Sequence, residues 1–146
     1  MTATGITATS KPARRRVVNV VLWVAQIGLA AFFVFASAPK LLGDPTAVAM
    51  FHVIGFGEWF RYLTGACELA GAIGLLIPRL SGVAATGLVG LMIGASLTNL
   101  FLLPGMASTA AVTVLLGVVF AVIAWARRDR TVALAATARR LVGSTR

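Results

Sequence analysis

Apolar residues occur along this chain in four long runs, which are separated by shorter segments that contain charged residues, glycine and proline. The runs are apolar on every helical face and do not alternate with polar residues, so they do not fit the strands of a membrane β-barrel. The hydrocarbon core of a bilayer takes about 20 residues of α-helix. The runs therefore predict four transmembrane helices, over residues 17–38, 59–77, 80–103 and 107–126.

The connections between these runs predict how the helices are joined. The second and third connections are very short, which makes the helices they join antiparallel neighbours. The first connection is longer, and Asp44 followed by Pro45 is a good helix start, with Gly55 as a helix breaker. It predicts a short amphipathic helix over residues 45–53 at the membrane surface. The predicted fold is an all-α integral membrane protein, a four-transmembrane-helix bundle with this short helix between helices one and two.

The composition agrees with a membrane protein and explains the two ends of the chain. The sequence is 59% hydrophobic with a mean hydropathy of +0.94, which is typical of membrane proteins. The net charge of +9 comes mostly from the tails, which predicts contact with anionic lipid and no nucleic-acid partner. Residues 1–16 are predicted to be a disordered basic tail, residues 17–126 the transmembrane domain, and residues 127–146 a basic tail lying at the interface. The positive-inside rule predicts that both termini are cytoplasmic.

Glu68 is an acidic residue near the centre of a predicted span, where a charged side chain costs about 2.5–3.5 kcal/mol. Lys40 at the end of helix one and Asn99 near the end of helix three are its candidate partners. Together the three side chains would form a polar cluster that binds a ligand or holds an ion pair. Two interpretations remain open: a neutral structural carboxyl hydrogen-bonded to Thr64 or Asn99, or a functional ion pair or proton site.

Several other polar residues are weaker candidates. The weaker ligand candidates are Gln26, His52, Arg61 and Thr64. Gln26 fits a second hydrogen bond between helices, and His52 fits a solvated side chain on the short helix. Cys67 is the only cysteine and is predicted to be a buried, inert thiol that faces away from Glu68. No Cys/His cluster has metal-ligand spacing, so no metal site is predicted.

Small residues at helical spacing predict close helix packing. The predicted packing glycines are Gly65 and Gly71 in helix two and Gly90 and Gly94 in helix three. Glycines four residues apart let neighbouring transmembrane helices approach closely. Helices two and three are therefore predicted to be the tightest pair.

Two stretches together resemble a known family. FVFASAPKLL at the end of helix one contains Lys40, and LTGACELAGAIGLLIP, about 28 residues later, contains Glu68 within a Gly-x-x-Glu-Leu-x-Gly segment. This pair resembles the signature of the DoxX family of small four-helix bacterial membrane proteins, over about residues 20–125. The resemblance implies a four-helix bundle in the bacterial inner membrane. It also implies a link to quinone-coupled oxidation of sulfur compounds or to membrane complexes that defend against thiol and oxidative stress.

Three functions remain open at this stage. The first is a non-catalytic subunit or anchor of a redox complex, with a quinone as ligand and soluble oxidoreductase subunits as partners. The second is a small proton-coupled transporter in which Glu68 carries the proton, and the third is a purely structural membrane protein. No set of nucleophile, base and orienting group supports an independent enzyme. Apart from the quinone of the first hypothesis, whose headgroup would lie in a pocket lined by Lys40, Glu68 and Asn99, no cofactor is predicted for the chain. A homo-oligomer is a further expected partnership.

Overall fold

The computed structural model describes residues 11–103, 105–129, 131, 132 and 136. In this part of the chain the secondary structure is helical, with no strand. The five helices are α1 (Lys11–Leu42), α2 (Pro45–Ile54), α3 (Glu58–Leu76), α4 (Ser81–Phe101) and α5 (Ala107–Ala126). The all-helical class is therefore confirmed.

Helix α1 is longer at both ends than the predicted span of residues 17–38. It begins at Lys11, so residues 11–16 are helical and the predicted disorder is wrong for them; residues 1–10 lie outside the described part. Lysine, arginine and alanine are good helix formers, and extending an existing helix costs much less than starting one. At its other end α1 continues through Pro39 to Leu42 and stops at Gly43, whose φ is 76°.

Helix α2 forms where the cap residues predict it. The carboxylate of Asp44 accepts hydrogen bonds from the backbone N–H groups of Thr46 (2.9 Å) and Ala47 (3.3 Å). Pro45 occupies the first turn, where its missing N–H costs nothing. The helix ends at Gly55, which has a left-handed φ of 82°. Its buried residues, Phe51 and Ile54, pack against Phe60 of α3 and against Leu103.

Among the described residues, three helices are long and apolar enough to cross a membrane: Ala13–Leu42 within α1, Ser81–Phe101 and Ala107–Ala126. Helix α3 is not among them. It has 19 residues, but it carries Glu58, Arg61 and Glu68, which lower its hydropathy. A count of four spans therefore remains a prediction that depends on how these charges are accommodated.

The long helices pack as an antiparallel bundle. α1 packs against α3, α3 against α4, and α4 most extensively against α5. The bundle closes between α5 and α1, where the rings of Phe120 and Phe33 meet edge to face at 5.3 Å. The core includes Leu75 of α3 and Leu88 of α4. The prediction that helices two and three (α3 and α4) form the tightest pair is wrong, because α4 packs more extensively against α5 and α3 more extensively against α1.

The packing glycines behave in two different ways. A methyl group at Gly65 would lie 3.0 Å from Leu41 of α1, and one at Gly71 would lie 2.6 Å from Leu88 of α4. Gly71 therefore packs α3 on α4 as predicted, whereas Gly65 packs α3 on α1. At Gly90 and Gly94 a methyl group would meet no other described atom within 4 Å, so the prediction of close packing there is wrong. The reason is that α4 presents this glycine row to open space, and its other side to α5.

The start of the predicted interfacial tail packs against the bundle. Arg127 is 4% exposed, and a methyl group at Gly82 would collide with the side chain of Thr131. Residues 131, 132 and 136 are helical. This part of the tail is therefore held by contacts with the helix bundle, and not by lipid headgroups alone. Residues 130, 133–135 and 137–146 lie outside the described part.

Candidate functional site

A cavity of about 450 Å³ lies inside one end of the bundle. We call this the α2 end, because α2 and the adjacent halves of the four long helices form its walls. Most lining side chains are aromatic or aliphatic. The lining residues with polar side chains are Lys40, Thr64, Cys67, Glu68, Thr98, Asn99, Thr109 and Thr113. A cavity of this size with few polar groups is typical of a site for a small ligand.

The cavity exists because α3 packs on α1 near both of its ends, through Gly65 and Leu75, but approaches α4 closely only in its second half. Near its start α3 touches α1 through Gly65, and in its second half it touches α4 through Gly71 and Gly74. Towards the α2 end α3 and α4 separate, and Gly90 and Gly94 of α4 line the space between them. The predicted packing glycines of α4 are therefore part of the cavity wall.

Lys40 and Glu68 form an ion pair in this wall. The Nζ atom of Lys40 donates hydrogen bonds to both carboxylate oxygens of Glu68, at 2.7 and 2.6 Å, and a third to the carbonyl oxygen of Ala36 at 3.3 Å. The side chains are 22% and 10% exposed. Short contacts to both oxygens are typical of a charge-assisted pair. Of the two interpretations of Glu68, the structure agrees with the ion pair, and the partner is Lys40.

Arg61 of α3 contacts the backbone of Lys40 and not the ion pair itself. It is 2% exposed, although the sequence places it at the edge of a span. Its Nη1 atom donates a hydrogen bond to the carbonyl oxygen of Lys40, and its guanidinium carbon lies 4.2 Å from the centre of the Tyr62 ring. The last carbonyls of a helix lack partners and carry partial negative charge. Arg61 therefore caps the end of α1 that carries Lys40.

The remaining predicted residues are near the site without joining the pair. Asn99 is half-buried in the cavity wall, and in the described part of the chain its side chain makes no hydrogen bond. Thr64 also lines the cavity, but its hydroxyl donates to the carbonyls of Phe60 and Arg61 in its own helix. His52 is exposed on α2 outside the cavity. Neither Asn99 nor Thr64 contacts the carboxylate of Glu68, so that predicted bonding is wrong.

Cys67 corrects a further expectation. It was predicted to be buried and to face away from Glu68, but the structure places it exposed and in the wall of the same cavity. The cavity is wide enough to reach residues that are about 100° apart around α3. Helical position relative to Glu68 was therefore a poor guide to which residues share the site.

A second polar cluster lies at the opposite end of the bundle. Gln26 of α1 donates a hydrogen bond to the carbonyl of Leu75 in α3 at 3.0 Å, as its predicted interhelical role requires. Arg127 donates to the side-chain oxygens of Gln26 (3.0 Å) and Asn19 (2.8 Å). Gln26 is thus outside the cavity, and it joins three helix segments instead of binding a ligand there.

Sequence reasoning missed Arg61 as a cap for α1 and missed Asn19 and Arg127 altogether. All three lie near the ends of apolar runs, where a polar side chain reaches water as easily as a partner. One signal for Arg61 was available: it lies one turn before Gly65, on the face of α3 that Glu68 also shares.

Fold and site together define a multi-pass helical membrane protein with an ion pair in the wall of a mostly apolar cavity. The model of the DoxX-like family matches residues 24–126, which is more than half of the chain. The chain therefore belongs to the DoxX-like family. Neither a curated protein nor a solved structure matches it.

Proposed function

We propose that this chain is a non-catalytic membrane subunit of a redox complex linked to quinone or to thiol and oxidative-stress defence. In this proposal the cavity at the α2 end binds a quinone headgroup. The single observation that carries it is the Lys40–Glu68 pair, which supplies the charged groups of an otherwise apolar and weakly polar wall. Family membership supports the membrane setting.

The chemistry of the wall suits both redox forms of such a headgroup. A quinone carbonyl accepts hydrogen bonds, and the ammonium of Lys40 can give it the N–H that now reaches the carbonyl oxygen of Ala36, the longest of its three contacts at 3.3 Å. A quinol hydroxyl also donates, and the carboxylate of Glu68 is an acceptor. Phe33, Phe51 and Phe60 line the same cavity and offer ring faces and edges to a flat headgroup.

The membrane arrangement belongs to the same proposal. We place α3 in the bilayer as the second of four spans, since its two inner charges, Glu68 and Arg61, are buried. The exposed Arg79 follows α3 at the end of the bundle where α1 starts with its basic residues. The positive-inside rule then predicts that both termini face the cytoplasm and that the α2 end of the bundle faces the outer side of the membrane. Reporter fusions after residue 146 and near Gly55 test this. Reporters on the same side of the membrane would mean an odd number of spans, and a periplasmic C-terminus with a cytoplasmic Gly55 would mean the inverted orientation.

The ligand is tested by extraction. Protein purified in mild detergent is extracted with organic solvent, and quinone is measured per mole of protein. We expect wild type and the exposed-site control Arg79→Met to retain equal amounts, and Lys40→Met to lose at least about nine-tenths, because its carboxylate partner is then unpaired in the wall. Quinone no more abundant than in the surrounding lipid extract, or equal in Lys40→Met, would show that the cavity is not its site.

The subunit role is tested separately in membranes. Thiol-driven quinone reduction is compared in membranes from cells with the chain, without it, and with Lys40→Met. We expect activity to fall in both altered strains and to be restored by wild type. Unchanged activity without the chain would contradict a role in such a complex. Complexes isolated in mild detergent would also show whether soluble oxidoreductase subunits or further copies of the chain accompany it.

A further inference from the structure

The cavity has an open side between α3 and α4. Leu63 and Cys67 of α3 line this side and are exposed, and so are Gly90 and Gly94 of α4. A methyl group at either glycine would meet no other described atom within 4 Å. The opening exists because the close contacts of α3 with α4 lie further along, at Gly71 and Gly74.

This opening is surrounded by apolar side chains. Leu63 is 47% exposed, and Ile93 and Leu97, on the same stretch of α4, are 56% and 52% exposed. Both helices are apolar on this side, which in a membrane protein is the surface that faces lipid. With α3 and α4 spanning the bilayer as proposed above, the opening leads from the cavity into the hydrocarbon region.

The charges inside select for a neutral headgroup. Lys40 and Glu68 neutralise each other through two short hydrogen bonds. An anionic headgroup would have to take Lys40 from Glu68 and leave a carboxylate unpaired in an apolar wall, which is strongly unfavourable. A neutral headgroup with acceptor or donor groups can bind beside the intact pair, and it can also use the amide of Asn99.

We infer that the cavity is loaded sideways from the bilayer by a neutral amphiphile with a hydrogen-bonding headgroup, and that Gly90 and Gly94 keep the entrance between α3 and α4 open. This inference rests on the proposed ligand site and extends it by naming the route and the charge of the ligand. The headgroup lies near Lys40 and Glu68, and the apolar tail leaves the cavity over the two glycines.

Binding is measured with the protein in phosphatidylcholine nanodiscs. The probes are tritiated decyl-1,4-benzoquinone, tritiated monodecanoylglycerol as a neutral amphiphile that is not a quinone, and unlabelled decanoate as an anionic competitor. Saturable binding above lipid partitioning is scored. The variants are Gly94→Leu and Gly90→Leu, with Gly94→Ala as a small step at the same position. Gly87→Leu is the matched control, because Gly87 is equally open on α4 but does not line the cavity.

We expect Gly94→Leu and Gly90→Leu to weaken neutral-probe binding by at least about tenfold, Gly94→Ala and Gly87→Leu to bind like wild type, and decanoate not to compete. Thermal unfolding of each variant in detergent accompanies the measurement, and a variant that unfolds is replaced by Gly90→Val or Gly94→Val. If both leucine variants are folded and bind the probes like wild type, the entrance between Gly90, Gly94 and α3 is wrong. If decanoate competes effectively, the inference that the ligand headgroup is neutral is wrong.

The two proposals fail in different ways. If monodecanoylglycerol binds with the expected glycine dependence and the quinone does not, the quinone function is wrong and the lateral route stands. If the quinone binds but the glycine variants have no effect, the route is wrong and the quinone site stands. If neither probe binds saturably, both are wrong.

Discussion

The Nζ atom of Lys40 lies 2.6 and 2.7 Å from the two carboxylate oxygens of Glu68, and this contact joins α1 to α3 across 28 residues of sequence. It satisfies two groups that would each be costly alone in an apolar environment. It also fixes which side of each helix faces the cavity. The pair therefore has a structural effect whether or not a ligand is bound, and stability measurements can detect it.

Removing either partner should destabilise the protein, and removing both should cost less than the sum. We expect Lys40→Met and Glu68→Gln each to cost about 2 kcal/mol in the free energy of unfolding, between the values for surface and for fully buried pairs. The double variant should show a coupling of about 1 kcal/mol or more. Unfolding in mixed micelles by SDS titration measures all three. Additive losses would mean that the two side chains do not interact in the folded protein.

Arg61 should matter for stability far more than an exposed arginine. Arg61→Met removes the donor to the carbonyl of Lys40 and should cost about 2 kcal/mol, the range for hydrogen bonds to charged groups. Arg61→Lys should restore less than half, because an ammonium does not reproduce the planar guanidinium on Tyr62. Arg79→Met is the exposed control and should change the free energy of unfolding by less than about 0.5 kcal/mol. Equal losses at the two positions would argue against the capping role.

Arg127, in the polar cluster opposite the cavity, should contribute more to stability than the adjacent Arg128. Arg127→Met leaves the side-chain oxygens of Gln26 and Asn19 without this donor and should cost about 2–3 kcal/mol. Arg128 has a side chain that is 62% exposed, and its contact with Asp129 is long at 3.9 Å. Its guanidinium also lies 4.9 Å from the centre of the Trp125 ring, a contact worth about 0.5–1 kcal/mol at an exposed site. Arg128→Met should therefore cost less than about 1 kcal/mol. Melting temperatures in detergent compare the two, and similar shifts would contradict the burial of Arg127.

Two glycine-to-alanine substitutions should have opposite signs. Alanine is favoured over glycine in helices by about 0.8–1.0 kcal/mol. At Gly87 the added methyl meets no other described atom within 4 Å, so Gly87→Ala should stabilise the protein. At Gly71 it would lie 2.6 Å from the buried side chain of Leu88, which would have to shift, so Gly71→Ala should destabilise the protein. Thermal unfolding in detergent measures both signs, and stabilisation at Gly71 would mean that α3 and α4 are less tightly packed than described.

Features that depend on neighbouring residues could be predicted from the sequence. The cap at Asp44 and Pro45 determines where α2 begins, because these residues satisfy backbone groups within one turn. The apolar runs predict the long helices, because a helix satisfies its own backbone groups in lipid. Because burying a charge is costly, the position of Glu68 within an apolar run predicts a partner for its carboxylate. Lys40 is one of the few residues in the sequence that could be this partner. To this extent the amino-acid sequence alone determined the helices and the family resemblance, and it named Lys40 as a candidate partner of Glu68. The choice between an ion pair and a neutral carboxyl came from the structure.

The rotation of each helix was decided by the tertiary structure. A row of glycines makes close approach possible but does not say which helix approaches, so Gly65 meets α1, Gly71 meets α4, and Gly90 and Gly94 line a cavity. In the same way Arg61 differs from an exposed arginine only because the end of α1 lies beside it. Packing between distant segments sets these environments. For this reason the cavity and its opening became visible only when α1, α3, α4 and α5 were assembled.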